Sequence, residues 1–457
     1  MNYEEFLESK MQLNNQYGFE PNFIPDYLFD FQKHLVEYSV KKGRSALFED
    51  CGLGKSIQEL VWSENVVRHT NGRVLILTPL AVTFQMQKEA EKFGIETKVS
   101  RDGELKSKII ITNYEQLHNF NPIDFTGVVC DESGILKNFD GKIKHQINIF
   151  MRKIKYRLLA TATPSPNDFI ELGTSSEALG YLGYMDMLGK FFKNDQNNCA
   201  TNRAGRFTSA TKWRLKGYAE ENFWRWVTSW SRALRKPSDL GFEDIGYNLP
   251  ELIQIDNEID VIGRKETGKL FTLPAKGLKE EREERKATIK ERCEKAAELV
   301  NNTNEFAVVW CNLNEEGDLL EKLIPGSVQV SGKDKDDKKE KKLIDFTEGN
   351  TRVLITKPKI GAWGLNWQHC NHMVYFPTHS YEQYYQAIRR CYRFGQKRPV
   401  KVDLVFTEGD KNIIKNLKRK DKQATEMFEN LVKHMNNSIN IKRSKDFENE
   451  IKLPKFI

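Results

Sequence analysis

The residues best placed to do chemistry are Gly52-Leu53-Gly54-Lys55-Ser56, which follow the apolar run Ser45-Ala46-Leu47-Phe48 and open onto Ile57-Gln58-Glu59-Leu60-Val61-Trp62. Glycines carry no side chain, so backbone N–H groups can close around phosphate oxygens while the following helix turns its positive end to the same anion. Lys55 would then reach the β- and γ-phosphates, and the Ser56 hydroxyl would hold a magnesium ion. The strict form of such a loop begins with glycine where this chain has Glu49, so the string alone also fits an ordinary strand-to-helix turn. A second candidate is Asp131-Glu132, delivered by the apolar run Gly127-Val128-Val129-Cys130. Behind a phosphate loop, Asp131 fits a magnesium ligand acting through water, and Glu132 a general base for the attacking water. Arg390 and Arg393 lie three apart, so one helical face can aim both guanidinium groups at a γ-phosphate. Gln32 offers an acceptor and donors suited to the N6 and N7 edge of adenine, although a helical glutamine on its own is usually just solvated.

These side chains need a scaffold, and the apolar runs supply one. Val74 to Thr78, Lys108 to Tyr114, Gly127 to Cys130 and Tyr156 to Ala160 read as buried strands separated by helical stretches. Strands alternating with helices predict a parallel sheet, whose chemistry gathers at the carboxyl ends of the strands. The fold class is therefore α/β. The rhythm breaks over 175–250. There, Trp213 to Lys236 is helical in pattern, with Phe223, Trp226, Val227, Trp230 and Leu234 on one face and Arg225, Arg232 and Arg235 elsewhere. A core stripe explains this face better than a nucleic-acid platform, in which Trp224 would stack a base. Asp239, Glu243 and Asp244 lack the following lysine of a nuclease site. The rhythm resumes with Glu305 to Cys311, Ser327 to Val330, Arg352 to Thr356 and Met373 to Phe376.

Several strings together resemble the Swi/Snf-like branch of helicase superfamily two. Asp131-Glu132-Ser133-Gly134 with Ile135-Leu136-Lys137-Asn138 is similar to its acidic motif, and Thr161-Ala162-Thr163-Pro164 with Asn167 and Glu171-Leu172 to its coupling motif. Gln386, Arg390, Arg393, Gly395 and Gln396, preceded by Gly361, Gly364, Leu365 and Asn366, resemble the motifs of its second lobe. The departure is serine and glycine after the acids, where that branch more often has a histidine thought to link hydrolysis to nucleic acid. The resemblance implies two RecA-like parallel-sheet lobes with a helical insertion, and a nucleotide bound by Gln32, Gly52, Gly54, Lys55, Ser56, Gly364 and Asn366. It implies ATP and Mg2+ as cofactors, with Lys55, Asp131, Glu132, Arg390 and Arg393 as catalytic groups and Ser56 and Asp131 toward the metal. It also implies a DNA-stimulated ATPase that translocates on DNA, duplex in preference. An RNA helicase of the same superfamily, the motor of a restriction or defence assembly with a separate nuclease or methylase, and an idle DNA-binding scaffold are the alternatives. The shape of the chain resembles phage and bacterial members.

Composition agrees with that class. The 457 residues allow roughly three domains. The expected order is an arm over 1–27, a first lobe over 28–174, the insertion over 175–250, a second lobe over 251–425 and a basic tail over 426–457. A net charge of +7 favours a polyanionic partner. No apolar run reaches the roughly 18 residues of a membrane span, and the acidic start is unlike a secretory signal, so a cytoplasmic location is expected. The oligomeric state stays open, with a monomer favoured. Seven scattered cysteines without a Cys-x-x-Cys pair indicate neither a disulfide framework nor a zinc ribbon, and the nearby His369, Cys370 and His372 lack a usual zinc spacing.

Overall fold

The computed structural model describes residues 17–137, 141–194, 213–260, 283, 285–361 and 366–447. The chain divides into two compact units, Met1–Glu243 with Ala424–Ile457, and Asp244–Gln423.

In the first unit the chain runs through α1 (Asp30–Lys42), β1 (Arg44–Glu49), α2 (Lys55–Thr70), β2 (Val74–Thr78), α3 (Thr83–Lys92), β3 (Thr97–Val99), β4 (Ile109–Asn113), β5 (Gly127–Cys130), α4 (Lys142–Arg152) and β6 (Tyr156–Thr161). Next come α5 (Leu172–Leu179), α6 (Tyr184–Phe191), β7 (Phe192–Asn194), β8 (Trp213–Leu215), α7 (Glu220–Trp230) and β9 (Ser231–Leu234). One seven-stranded sheet has the order β3-β4-β2-β5-β6-β1-β9, and its pairs are parallel. Its central strands are buried along their whole length, as continuous Val, Leu and Ile runs require when both faces of a sheet are covered. Residues 17–27 lie along this unit: Tyr17 and Phe19 donate backbone N–H bonds to the Lys42 and Val40 carbonyls, and the Phe19 ring stacks on His69 with centroids 3.8 Å apart.

The expected insertion over 175–250 does not stand apart from this unit. Helix α7 ends at Trp230, and Ser231 to Leu234 forms strand β9 rather than a further helical turn, pairing Ala46 with Ser231 and Glu49 with Leu234. Docking on β1 satisfies backbone groups that a longer helix would have left beside a bare sheet edge. Phe223, Trp224, Trp226 and Trp230 belong to the core that covers this sheet, together with Met427, Phe428 and Leu431 from the segment expected to be a tail. The stretch 195–212 of the expected insertion lies outside the described residues.

In the second unit β10 (Leu252–Ile259), α8 (Ile289–Asn301), β11 (Ala307–Trp310), α9 (Asn314–Leu323), β12 (Ser327–Val330), α10 (Asp336–Thr347) and β13 (Val353–Thr356) are followed by α11 (Pro358–Gly361), β14 (His372–Tyr375), α12 (Tyr381–Ile388) and β15 (Val400–Thr407). Its six strands are ordered β10-β15-β14-β11-β13-β12, again with parallel pairs. Buried Arg292 and Glu316 close the outer helices of this unit: Arg292 Nη1 donates to Glu316 Oε1 at 2.6 Å, while Glu316 Oε2 accepts from the Asn312 and Leu313 N–H groups at 2.7 and 2.9 Å. The last helix, α13 (Lys411–Phe447), starts in the second unit, and its part from Ala424 onward belongs to the first. These two α/β layers, each a parallel sheet covered by helices, are RecA-like lobes.

Candidate nucleotide site

Strand β1 delivers the phosphate loop at its carboxyl end. Gly52 and Gly54 have φ of 93° and 84°, a left-handed backbone that only glycine adopts without strain. A Cβ at Gly54 would lie 2.3 Å from Gln32 Nε2, so the loop is packed as closely as its sequence allows. Helix α2 then starts at Lys55 with no side chain capping its first turn, which leaves N–H groups facing the loop. The Lys55 ammonium donates to the carbonyls of Glu49 and Asp50 at 2.9 and 3.2 Å. The residues present therefore fit a polyphosphate: a cradle of backbone donors with one ammonium folded over it.

The acids gather beside that ammonium. Asp131, 6% exposed at the end of β5, has its backbone carbonyl held by the Tyr114 hydroxyl at 2.5 Å. Glu132 follows with φ 50°, a conformation non-glycine residues seldom adopt and which marks functional sites. The Thr161 hydroxyl at the end of β6 donates to Glu132 Oε2 at 3.4 Å and accepts from the Thr163 N–H at 3.1 Å, so the expected coupling string does touch the acid. Burial, then the charge on Glu132, raise the Asp131 carboxyl to about 7. Burial likewise raises Glu49 to about 7, against the opposing pull of Lys55 and Gln58. Burial by itself would draw the Lys55 proton affinity down, but Cys51, Glu132, Glu49 and Asp131 together hold it above its ordinary value.

Two residues behave differently from their sequence reading. Gln32 is 5% exposed, its Oε1 accepts from the Phe29 N–H at 3.1 Å, and its Nε2 donates to the Leu53 carbonyl at 2.8 Å. It ties α1 to the phosphate loop and keeps one donor hydrogen and one lone pair for a base. Glu59 was missed. It is wholly buried on α2 beside Asp131, with which it shares a side-chain hydrogen bond, and burial followed by the charge on Asp131 raises its pKa well above the carboxylate range. Its position, four residues after Lys55 and three after Ser56, puts it on their helical face, which is the signal that could have found it.

Trp224 is not a base platform. It is fully buried, with Phe169 and Phe223 edge-on at 5.1 and 4.9 Å. Arg232 stacks on Tyr38 at 3.7 Å and Arg235 on Phe428 at 4.9 Å, both within the first unit, while Arg225 is exposed.

In the second unit α12 ends at Ile388, so Arg390 and Arg393 lie in the turn past the helix rather than on one helical face as expected. Arg390 is 3% exposed and folds its guanidinium back on Gln386, Nε donating to the Gln386 carbonyl at 3.1 Å and Nη2 to Gln386 Oε1 at 3.0 Å. Arg393 is half-buried, and Asn366 is exposed. Gln396 braces the same region, its Nε2 donating to the carbonyls of Gln368, Cys370 and Cys391. Gly364, named with Asn366 for the nucleotide, lies outside the described residues, as does Asn138 of the acidic motif. His372 pairs with Asp403 at 2.8 Å, and among the described residues no three His, Cys, Asp or Glu side chains are grouped to hold a metal. No helix among the described residues is long and apolar enough to cross a membrane.

Residues 291–395 match the helicase conserved C-terminal domain family. A CHD3-type chromatin-remodeling factor of Arabidopsis thaliana is 25% identical over 185 residues, 34% of this chain and 15% of that protein. A bifunctional helicase and thymine dioxygenase of Leishmania braziliensis is 34% identical over 94 residues, 20% of this chain and 9% of its own length. The chain thus spans a small part of the curated relatives it matches. Among solved structures, a variant of S. cerevisiae dbp5 bound to gle1 and ip6 superposes with a TM-score of 0.52 at 12% identity, over 85% of each chain, which bears on the fold. The helicase conserved C-terminal domain match thus falls within the second of the two RecA-like lobes, and the chain is similar over 34% of its length to a chromatin-remodeling factor.

Proposed function

We propose that this protein is an ATP-driven motor that moves along DNA, preferring duplex, with hydrolysis stimulated by that DNA. The observation that carries the reading is the gathering of Lys55, Asp131 and Glu132 at the mouth of the Gly52–Gly54 loop. In this reading the loop N–H groups and the Lys55 ammonium hold the β- and γ-phosphates of ATP. Ser56 and Asp131 are the groups that would hold Mg2+, which when bound offsets phosphate charge. Glu132 takes a proton from the water that attacks the γ-phosphorus, as the bond to the ADP oxygen breaks. Arg390 and Arg393 are the second lobe's candidates for the arginine that phosphoryl transfer needs, a contribution on the order of 10³ to 10⁵ in rate in such enzymes. For Arg390 this requires release from Gln386. The names of the relatives, a chromatin-remodeling factor and a helicase fused to a thymine dioxygenase, and the net charge of +7 favour DNA as the track. Grip on the phosphate backbone should be independent of sequence and weakened by salt.

The test is ATP turnover measured without nucleic acid and with duplex DNA, single-stranded DNA and RNA, with displacement of a triplex strand as the motion readout. Duplex DNA should stimulate most and the third strand should be displaced. Lys55→Ala should abolish nucleotide binding, and Glu132→Gln should bind without turnover. Equal stimulation by single-stranded RNA would overturn the choice of track, and wild-type turnover in Glu132→Gln would remove that residue from the base role.

A further inference from the structure

Strands β7 and β8 form a two-stranded antiparallel ribbon of their own, with Phe192 opposite Leu215, Lys193 opposite Arg214 and Asn194 opposite Trp213. Side chains alternate between the faces of a strand, so Phe192, Asn194, Trp213 and Leu215 share one face while Lys193 and Arg214 share the other. The first face is held by the first unit: Phe192 is buried in its core, edge-on to Phe223 at 5.4 Å, and Trp213 and Leu215 pack against the same core. The second face is in water, and both of its residues are exposed bases. Directly opposed side chains of an antiparallel pair have Cβ atoms roughly 4.5 to 5.5 Å apart, a separation at which like charges oppose folding. The buried face does not require two cations there, since any polar pair would serve it equally. Lys216 has a structural task, its ammonium donating to the Gly189 and Lys190 carbonyls at the end of α6 at 2.8 and 3.1 Å. Residues 187–194 and 213–219 together hold four bases and no acid. In the same stretch the Tyr218 ring is 84% exposed.

We propose that the Lys193 and Arg214 face of this ribbon grips the phosphate backbone of the DNA track, as a contact point separate from the nucleotide site. The inference rests on the reading of the chain as a DNA motor and gives the track a place on the first lobe. An anion seated between the two cations turns their mutual repulsion into attraction, so a pair that opposes folding in the free protein favours the complex. The guanidinium can hold phosphate oxygens through two N–H groups at once and the ammonium acts as a point charge. Neither reads a base edge, so the grip is independent of sequence, as a motor that steps along its track needs. A large ring left in water beside these bases suits the stacking and sugar surfaces of a nucleic acid better than an acidic polypeptide. Because the opposite face is locked into the core, the two bases are presented on a fixed backbone.

The experiment uses the full chain and a fluorescent mixed-sequence duplex, with affinity read by anisotropy over a range of salt and ATP turnover read with and without the duplex. The double variant Lys193→Ala with Arg214→Ala should weaken binding at least tenfold and reduce the slope of log affinity against log salt by roughly 2, one for each phosphate-directed base. Its turnover without DNA should equal that of wild type. Lys290→Ala with Lys322→Ala removes the same charge from exposed positions of the second unit and should leave affinity and slope close to wild type. Lys193→Glu sets opposite charges across the ribbon, so DNA affinity should fall while the first lobe unfolds in urea no earlier than wild type. Affinity and slope equal to wild type in the ribbon double variant, or a loss matched by the second-unit pair, overturns the proposal. So does a Lys193→Glu variant whose loss of affinity comes with earlier unfolding. Binding of poly-glutamate that depends on Lys193 and Arg214, with DNA binding unchanged, would assign the face to an acidic protein instead. If duplex DNA stimulates wild type and the ribbon double variant alike, the ribbon contact falls and the motor stands. If wild type binds no DNA, both fall.

Discussion

Replacing Glu49 with glutamine should stabilise the first lobe at high pH and do little at low pH. Glu49 is fully buried at the end of β1, and its ordinary value of 4.5 is raised to about 7 by burial. The folded lobe therefore binds this proton more tightly than the unfolded chain, and stability falls as pH rises from the unfolded value through the folded one. At about 1.4 kcal/mol per pKa unit, the 4.5 to about 7 displacement corresponds to roughly 3 kcal/mol in full. Between pH 5 and pH 8 most of it, about 2.5 kcal/mol, should appear. Glutamine keeps an oxygen for Gln58 Nε2 and removes the charge, so Glu49→Gln should gain on wild type by about that amount over the window. Urea unfolding of the full chain in chelator, following the tryptophan fluorescence of the first lobe at both pH values, gives the number. A wild-type-to-mutant difference that stays constant from pH 5 to pH 8 would show that Glu49 is not a buried acid held neutral by its surroundings.

Gly54→Ala should lower nucleotide affinity at least tenfold, or about 1.4 kcal/mol, because the added Cβ meets Gln32 Nε2 at 2.3 Å on a backbone with φ 84°; titration with a fluorescent ATP analogue reads it. Trp224→Ala should cost the first lobe about 3 to 5 kcal/mol in urea unfolding, since the ring is fully buried, whereas a base-stacking residue would lose nucleic-acid affinity with stability unchanged. Glu316→Ala should cost the second lobe about 3 to 5 kcal/mol, because Arg292 at 2% exposure would keep its charge without its partner. Hydrogen exchange across α8 and α9 would localise the loss.

Much of the fold was written plainly in the sequence. Val74–Thr78 and Tyr156–Thr161 are apolar runs stopped by polar residues, and a parallel sheet covered on both faces needs nothing subtler to be recognised. The loop, Asp131 and Glu132 were legible for the same reason, since strand ends fix where chemistry can collect. Ser231–Leu234 was not, because the apolar stripe of α7 runs into it without a turn residue and only the free edge of β1 makes it a strand. Met427, Phe428 and Leu431 looked like part of a basic tail because their packing partners are some two hundred residues earlier, as in the Asn436 bond to the Asp239 carbonyl. Glu59 stayed hidden because an acid on a helix reads as solvated, and nothing local says that this one faces Asp131. The Gln32 contact with Leu53 is likewise a tertiary fact.

Because part of the first lobe's core is encoded after the whole second lobe, a ribosome reading this message releases Met427, Phe428 and Leu431 only when everything before them has been made. The earlier lobe must therefore wait, with an apolar surface uncovered, while the later one is synthesised and is free to fold. Translation should thus yield the lobes in reverse order of completion, and a message truncated just past Gln423 would leave the nucleotide cradle on a half-closed body exposed to proteases and chaperones.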